Sequence, residues 1–285
     1  MEQLLVATDF STRSDRALRR ATMLANKLDL MLTLVHVVDI DRPQSLIAAD
    51  HKAASQVLED TVHTLCEVDR IRARWLVRVD DAHSGIISTA NEVSADLIVL
   101  GPHRRRVSDV FVGTVAERVV RRSVRPLLVA VDLPAAHHRN TLLTLDFEDA
   151  STFACRRALE MGIFDHTDVV LIHAFDAPAA HLLRRSLEPK IKVDRYVESE
   201  GRAAKKRLTK LAQKLGLPPT CKSVVSTRGT IARTILETAK EIDSDLIVLG
   251  ANQRHGFERA LIGSVTADVI RDAHRDILII PVDPG

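Results

Sequence analysis

Aromatic residues are scarce in this chain: Phe, Trp and Tyr together make up 3% of 285 residues, with a single Trp and a single Tyr. That excludes a nucleic-acid surface built from stacking rings interleaved with basic side chains. A formal net charge of +2 supplies no broad basic field to replace one. Cys66, Cys155 and Cys221 are isolated, odd in number and outside any Cys-x-x-Cys spacing. This argues against a disulfide framework or a zinc site and for a reducing compartment. No apolar run approaches the roughly 18 residues of a membrane span. Met1–Asp9 leads straight into a strand pattern without a basic leader. A soluble, cytoplasmic protein with no membrane or nucleic-acid partner is expected. A Walker A lysine motif and a kinase catalytic Asp are also missing.

What remains is aliphatic. With 46% hydrophobic and 27% charged residues, the composition suits a parallel sheet covered by helices. The length allows two domains with buried cores. Short apolar runs alternate with helical periods: strands over Leu4–Thr8, Met31–Val38, Ala73–Val79, Leu97–Leu100 and Pro126–Val131, helices over Ser14–Leu28, Ala53–Cys66, Gly85–Val93 and Thr114–Arg122. Ser11 or Ser14 is the expected N-cap of the first helix. The order then restarts, with strands over Leu142–Leu145, Val169–Phe175, Lys222–Ser226, Leu246–Leu249 and Asp276–Pro281. Strand–helix alternation implies right-handed βαβ units, here two tandem doubly wound α/β domains, each a five-stranded, mostly parallel sheet. The boundary falls in Leu133–Asn140, dividing the chain into residues 1–134 and 139–285.

The halves are copies. Asp-Leu-Ile-Val-Leu-Gly occurs at Asp96–Gly101 and again at Asp245–Gly250, 149 residues later. Asp9-Phe10 and His36 recur as Asp146-Phe147 and His173, 137 residues on, so the second half carries a longer segment around Ala177–Tyr196. Each hexapeptide runs into a loop and then a Gly-hydroxyl helix start, Gly113-Thr114-Val115-Ala116 in the first half and Gly263-Ser264-Val265-Thr266 in the second. A helix N-terminus presents unpaired N–H groups and the positive end of the helix dipole, which is how such folds hold phosphates.

These elements, five in order and twice over, resemble the universal stress protein family in its tandem form, across nearly the whole chain. The resemblance implies a Rossmann-like fold of the adenine-nucleotide type and a site read from Gly-x2-Gly-x9-Gly-[Ser/Thr]. The second half keeps that spacing as Gly250, Gln253, Gly263 and Ser264, departing by Gln253 in place of a glycine. The first half, with Gly101, Arg104, Gly113 and Thr114, lacks the second glycine and is one residue shorter. By resemblance, Asp9 or Asp146 lies near the nucleoside and the backbone at Val37 or Ala174 meets the adenine edge. Val265 and Thr266 complete the second cradle. The nucleotide, ATP or AMP, with Mg²⁺ accompanying ATP, is therefore expected after Gly250 and not after Gly101.

Several residues admit other readings. Asp9 and Asp146 can equally cap the following helices. His36 and His173 sit in apolar strands without a nucleophile or metal ligand at useful spacing, which favours hydrogen-bonded structural histidines. Cys155, among Ala154, Ala158 and Leu159, reads as a buried thiol. Arg184-Arg185 and the Lys205-Lys206-Arg207 run read as solvated helix faces. The last strands, Leu127–Val131 and Ile277–Pro281, are expected to meet within one chain as an internal pseudo-dimer, with a further homodimer and an unidentified protein partner left open. The expected function is stress-responsive regulation through nucleotide binding. The alternatives are a slow ATPase or autophosphorylating enzyme drawing on His255, Arg254 or Glu258, and a nucleotide-free scaffold for a protein or a small apolar ligand.

Overall fold

A computed structural model of the chain describes residues 1–102, 114–175, 190–217, 222–226, 230–252 and 263–282. The first half runs β1 (Gln3–Ala7), α1 (Thr12–Leu28), β2 (Met31–Asp39), α2 (Gln44–Glu67), β3 (Ala73–Asp80), α3 (Ala82–Glu92), β4 (Leu97–Leu100), α4 (Val115–Arg122) and β5 (Leu127–Val129). The second runs β6 (Asn140–Thr144), α5 (Asp149–Glu160), β7 (Asp168–Phe175), α6 (Lys190–Lys214), β8 (Lys222–Ser226), α7 (Ile231–Glu241), β9 (Leu246–Asn252), α8 (Ser264–Asp272) and β10 (Asp276–Val282).

The ten strands form one sheet in the order β3-β2-β1-β4-β5-β10-β9-β6-β7-β8. Within each half all pairings are parallel; the halves join where β5 and β10 run antiparallel, with Ile277 opposite Val129 and Ile279 opposite Leu127. The expected meeting of the two last strands is present. It turns two five-stranded sheets into one continuous sheet and removes both aliphatic edges from solvent.

Strand alternation sends side chains to two cores. Leu4 and Val6 on one face join residues of α1, α2, α5 and α6, whereas Leu5 on the other joins residues of α3, α4, α7 and α8; each core runs through both halves. At about 1.5–3 kcal/mol for each fully buried aliphatic side chain, these two layers are the main source of stability. The first helix shows how the sequence makes one such contact. Ala17, Ala21, Leu24 and Ala25 recur on one face and are buried, Ser11 caps the start by accepting from Ser14 N, and Asp29 closes the end in the left-handed conformation (φ 50°).

The repeated hexapeptide has a structural task at each end. Asp96 Oδ2 accepts from the backbone N–H groups of Glu2 (2.6 Å) and Gln3 (3.0 Å) at the start of β1, and Asp245 accepts in the same way from Arg139 (2.7 Å) and Asn140 (3.1 Å) at the start of β6. At the other end a Cβ on Gly101 would lie 2.6 Å from the carbonyl oxygen of Arg13, and one on Gly250 would lie 3.1 Å from Ala154 Cβ. Both glycines let a strand end pack against the first helix of its half.

Candidate functional site

Strand order reverses between β1 and β4 in the first half and between β6 and β9 in the second. The helices that follow leave on opposite faces, and a crevice opens at the carboxyl ends of the strands. A cleft lies at each of these points. The first, of about 480 Å³, is lined by residues that include Asp9, Val37, Ala82, Ile86, Gly101 and Ala116. The second, of about 150 Å³, uses the corresponding positions Asp146, Ala174, Ile231, Ile235, Gly250 and Thr266. Five further lining pairs correspond, Ala7 with Thr144, Thr8 with Leu145, Ser14 with Ser151, Leu100 with Leu249 and Val115 with Val265. At one lining position Ala82 of the first half is replaced by Ile231, which brings three more side-chain carbons to the second cleft.

Of the expected site residues, Asp9, Val37 and Gly101 come together in the first cleft, and Asp146, Ala174, Gly250, Val265 and Thr266 in the second. Thr114, Gly263 and Ser264 stand at the helix starts but are not among the lining residues. Arg104, Gly113 and Gln253 lie outside the described residues, as do Arg254, His255 and Glu258.

Both clefts share a rim. His36 Nδ1 donates to Thr8 O at 2.8 Å and its ring stacks on Phe10 at 4.4 Å; His173 Nδ1 donates to Leu145 O at 3.0 Å and its ring lies 4.0 Å from that of Phe147. Each histidine ties β2 or β7 to the end of the neighbouring strand, the structural role expected of it. Burial, with the nearby Arg207 charge, holds His173 below the ordinary imidazole value despite the opposing hydrogen bond. Phe10 and Phe147 take positive φ (58° and 68°), turning the chain sharply after each Asp.

The aspartates differ in their partners. Asp9 Oδ1 accepts from Ser11 N (3.1 Å) and Ser11 Oγ (2.5 Å). Burial works against its ionisation, yet the hydrogen bonds from Ser11 and Ser14 prevail and hold the carboxyl below the ordinary carboxylate value. Asp146 Oδ1 accepts from Glu148 N (2.9 Å) and Ser151 Oγ (2.6 Å).

The helix starts differ most. In α4, Thr114 Oγ1 accepts from Glu117 N and Glu117 Oε2 accepts from Thr114 N, both at 3.0 Å. This reciprocal capping box fills the helix N-terminus with the protein's own carboxylate. In α8 the cap is Gly263 with no side-chain hydrogen bond, and the position matching Glu117 is Ala267. The first half therefore has room with its helix end occupied, and the second has an open helix end with little room.

The sequence profile of the universal stress protein family matches residues 1–130 and again 137–281. The chain belongs to this family, in its tandem two-domain form. A universal stress protein of Mycobacterium tuberculosis is 23% identical over 292 aligned positions, covering 97% of this chain and 96% of the relative. Universal stress protein A homolog 1 of Coxiella burnetii, 26% identical, aligns over 50% of this chain and 96% of its own length. Among solved structures, a universal stress protein from Archaeoglobus fulgidus superimposes with a TM-score of 0.72 at 17% identity, covering 98% of both chains. A functionally unknown protein of Pseudomonas aeruginosa gives 0.64 at 16% identity, covering 99% of this chain and 93% of its own. These likenesses establish the shared fold. The family pattern directs attention to the glycines after the hexapeptide, and the geometry adds residues outside that pattern. Thr114-x-x-Glu117 was legible as a capping box. Arg13 and Arg118, which also line the first cleft, carry no sequence signal, because nothing local to either places it at a crevice.

Proposed function

We propose that this family member is a cytoplasmic regulatory protein of the stress response that binds an adenine nucleotide, ATP or AMP, in the cleft of its first half. The observation that carries this reading is volume. About 480 Å³ falls within the range of pockets that enclose small molecules, roughly 300–1,000 Å³, and the second cleft's 150 Å³ falls below it. In this reading Asp9, favoured in its ionised form, accepts from ribose hydroxyls, and Ile86 and the aliphatic wall of Val35 and Val37 receive the base. Mg²⁺ enters with the triphosphate when ATP is the ligand. Occupancy changes the surface at the cleft mouth, which a protein partner would read as a shift between two populations.

A second reading places the nucleotide in the second half, at Asp146, Ala174, Gly250, Gln253, Gly263, Ser264, Val265 and Thr266. The uncapped start of α8 favours it. The cleft would have to widen past Ile231.

Isothermal titration of the full chain with ATP and AMP, beside Ala82→Trp and Gly263→Trp, tests both. Loss of binding in Ala82→Trp with Gly263→Trp unaffected is the expected outcome. The reverse pattern moves the site to the second half. No affinity at millimolar nucleotide in the unsubstituted protein refutes both readings.

A further inference from the structure

The two halves have exchanged the means of meeting an anion. Resting on the reading that the first cleft takes a nucleotide, we infer that its phosphate is held there by the guanidinium groups of Arg13 and Arg118 and not by the start of α4. The two residues line the cleft from different elements, Arg13 from the first turn of α1 and Arg118 from α4. Among the described residues neither is paired with a carboxylate, and Arg118 Nε is buried without a hydrogen-bond partner. A buried guanidinium N–H without an acceptor is unfavourable, and a phosphate oxygen is the acceptor it matches best.

The alternative anchor is closed. Glu117, buried at the first turn of α4, holds its carboxylate on Thr114 N. A phosphate at that helix end would displace the carboxylate or lie against a like charge. His83, packed near the same helix, is held below the ordinary imidazole value by burial and by the charges of Arg122 and Arg118, against the opposing charges of Asp81 and Asp80.

The second half shows that the pair is particular to the first. Ala150 stands where the first half has Arg13, and Asp268 where it has Arg118; Asp268 is paired with Arg271 at 3.1 Å. A phosphate there would have an open helix end and, among the described lining residues, no arginine.

The test is titration of the full chain with adenosine and with AMP, for the unsubstituted protein, Arg13→Gln, Arg118→Gln, the double variant and Arg118→Lys. Each single change to Gln is expected to weaken AMP roughly tenfold. Adenosine, which reports an intact cleft, should stay within about twofold. Lysine keeps the charge without the planar fork and should restore AMP binding only in part. AMP affinity unchanged in the double variant overturns the inference and leaves nucleotide binding standing. Failure of both adenosine and AMP to bind the unsubstituted protein overturns the nucleotide reading and the inference with it.

Discussion

Asp276→Asn tests how the two halves are held as one body. Asp276 opens β10 in the second half and is fully buried, yet all four of its donors precede that half's first strand. Its Oδ1 accepts from the backbone N–H groups of Val131 (2.8 Å) and Asp132 (3.0 Å), and its Oδ2 accepts from Arg20 Nε (2.8 Å) and His138 Nε2 (2.9 Å). Arg20 also donates to Ala136 O at 2.8 Å, so one carboxylate fastens α1, the connecting segment and β10 together. The matching position before β5 is Pro126, which makes the clamp one-sided. Asparagine keeps the shape but removes the charge and turns an NH₂ toward donors, stranding a guanidinium that is only 5% exposed. Breaking a buried pair from one side costs about 3–5 kcal/mol. Asp243→Asn breaks a pair whose carboxylate is 83% exposed, and should cost less than about 1 kcal/mol.

Urea unfolding at neutral pH, followed by circular dichroism, measures both variants. Arg20→Met with Asp276→Asn should cost less than the two single changes added together, because the second change relieves the stranded charge. An Asp276→Asn protein within about 1 kcal/mol of the parent, or full additivity, would refute the clamp. Acid gives a second check. Burial alone would raise the Asp276 pKa, but the His138 hydrogen bond and the Arg20 charge hold it below the ordinary carboxylate value. The clamp's stabilisation is therefore complete above the unfolded-state pKa and is lost as pH falls through the folded-state one. Asp276→Asn should lack that part of the acid limb.

Three further outcomes are expected. Gly101→Ala drives a Cβ to 2.6 Å from a backbone oxygen and should cost at least about 1–3 kcal/mol, whereas Gly250→Ala meets a methyl group at 3.1 Å and should cost less. Gly263→Ala meets nothing within 4 Å and should stay within about 1 kcal/mol; thermal melting in any other order contradicts the packing role of the hexapeptide glycines. His83, held below its ordinary value by burial and by Arg122 and Arg118, contributes stability that is complete above an unfolded-state pKa of about 6.5 and is lost as pH falls toward the folded-state value. His83→Asn should flatten part of the difference in urea stability between pH 7.5 and pH 5.5, and an unchanged slope would count against it. The Cys155 thiol is pushed up to about 12 by burial and by the Asp146 charge, so it should resist a thiol reagent in the native protein and react only after denaturation, as peptide mapping would show.

How much was legible can be followed along particular elements. The runs Leu97–Leu100 and Lys222–Ser226 were read to the residue. Helix α2 was expected from Ala53 but starts at Gln44, because its buried residues begin only at Ala54 and periodicity detects a buried stripe, not an exposed turn. Strand β5 stops at Val129, short of the expected Val131, because the Val131 N–H is drawn to Asp276. His138, inside the expected boundary segment Leu133–Asn140, is buried against the same carboxylate. Cys155 is buried on its helix as expected, and Lys205, Lys206 and Arg207 are exposed, with the Arg207 guanidinium 4.3 Å from the Phe147 ring centre.

Local chemistry determined the strands, the helices and the duplication, because aliphatic runs and helical periods are properties of neighbours in the chain. The positions of Asp9, Asp146 and the glycines followed from the same pattern. Tertiary structure decided which cleft has room, whether a helix end is open, and what the repeated Asp and Gly are for. Those answers depend on partners far away in sequence: Asp96 serves a strand start 94 residues back, and Asp276 holds an arginine 256 residues away. Two copies of one sequence pattern therefore came to differ through side chains such as Ala82 and Ile231, or Glu117 and Ala267, whose effect exists only once the sheet has brought them to a crevice.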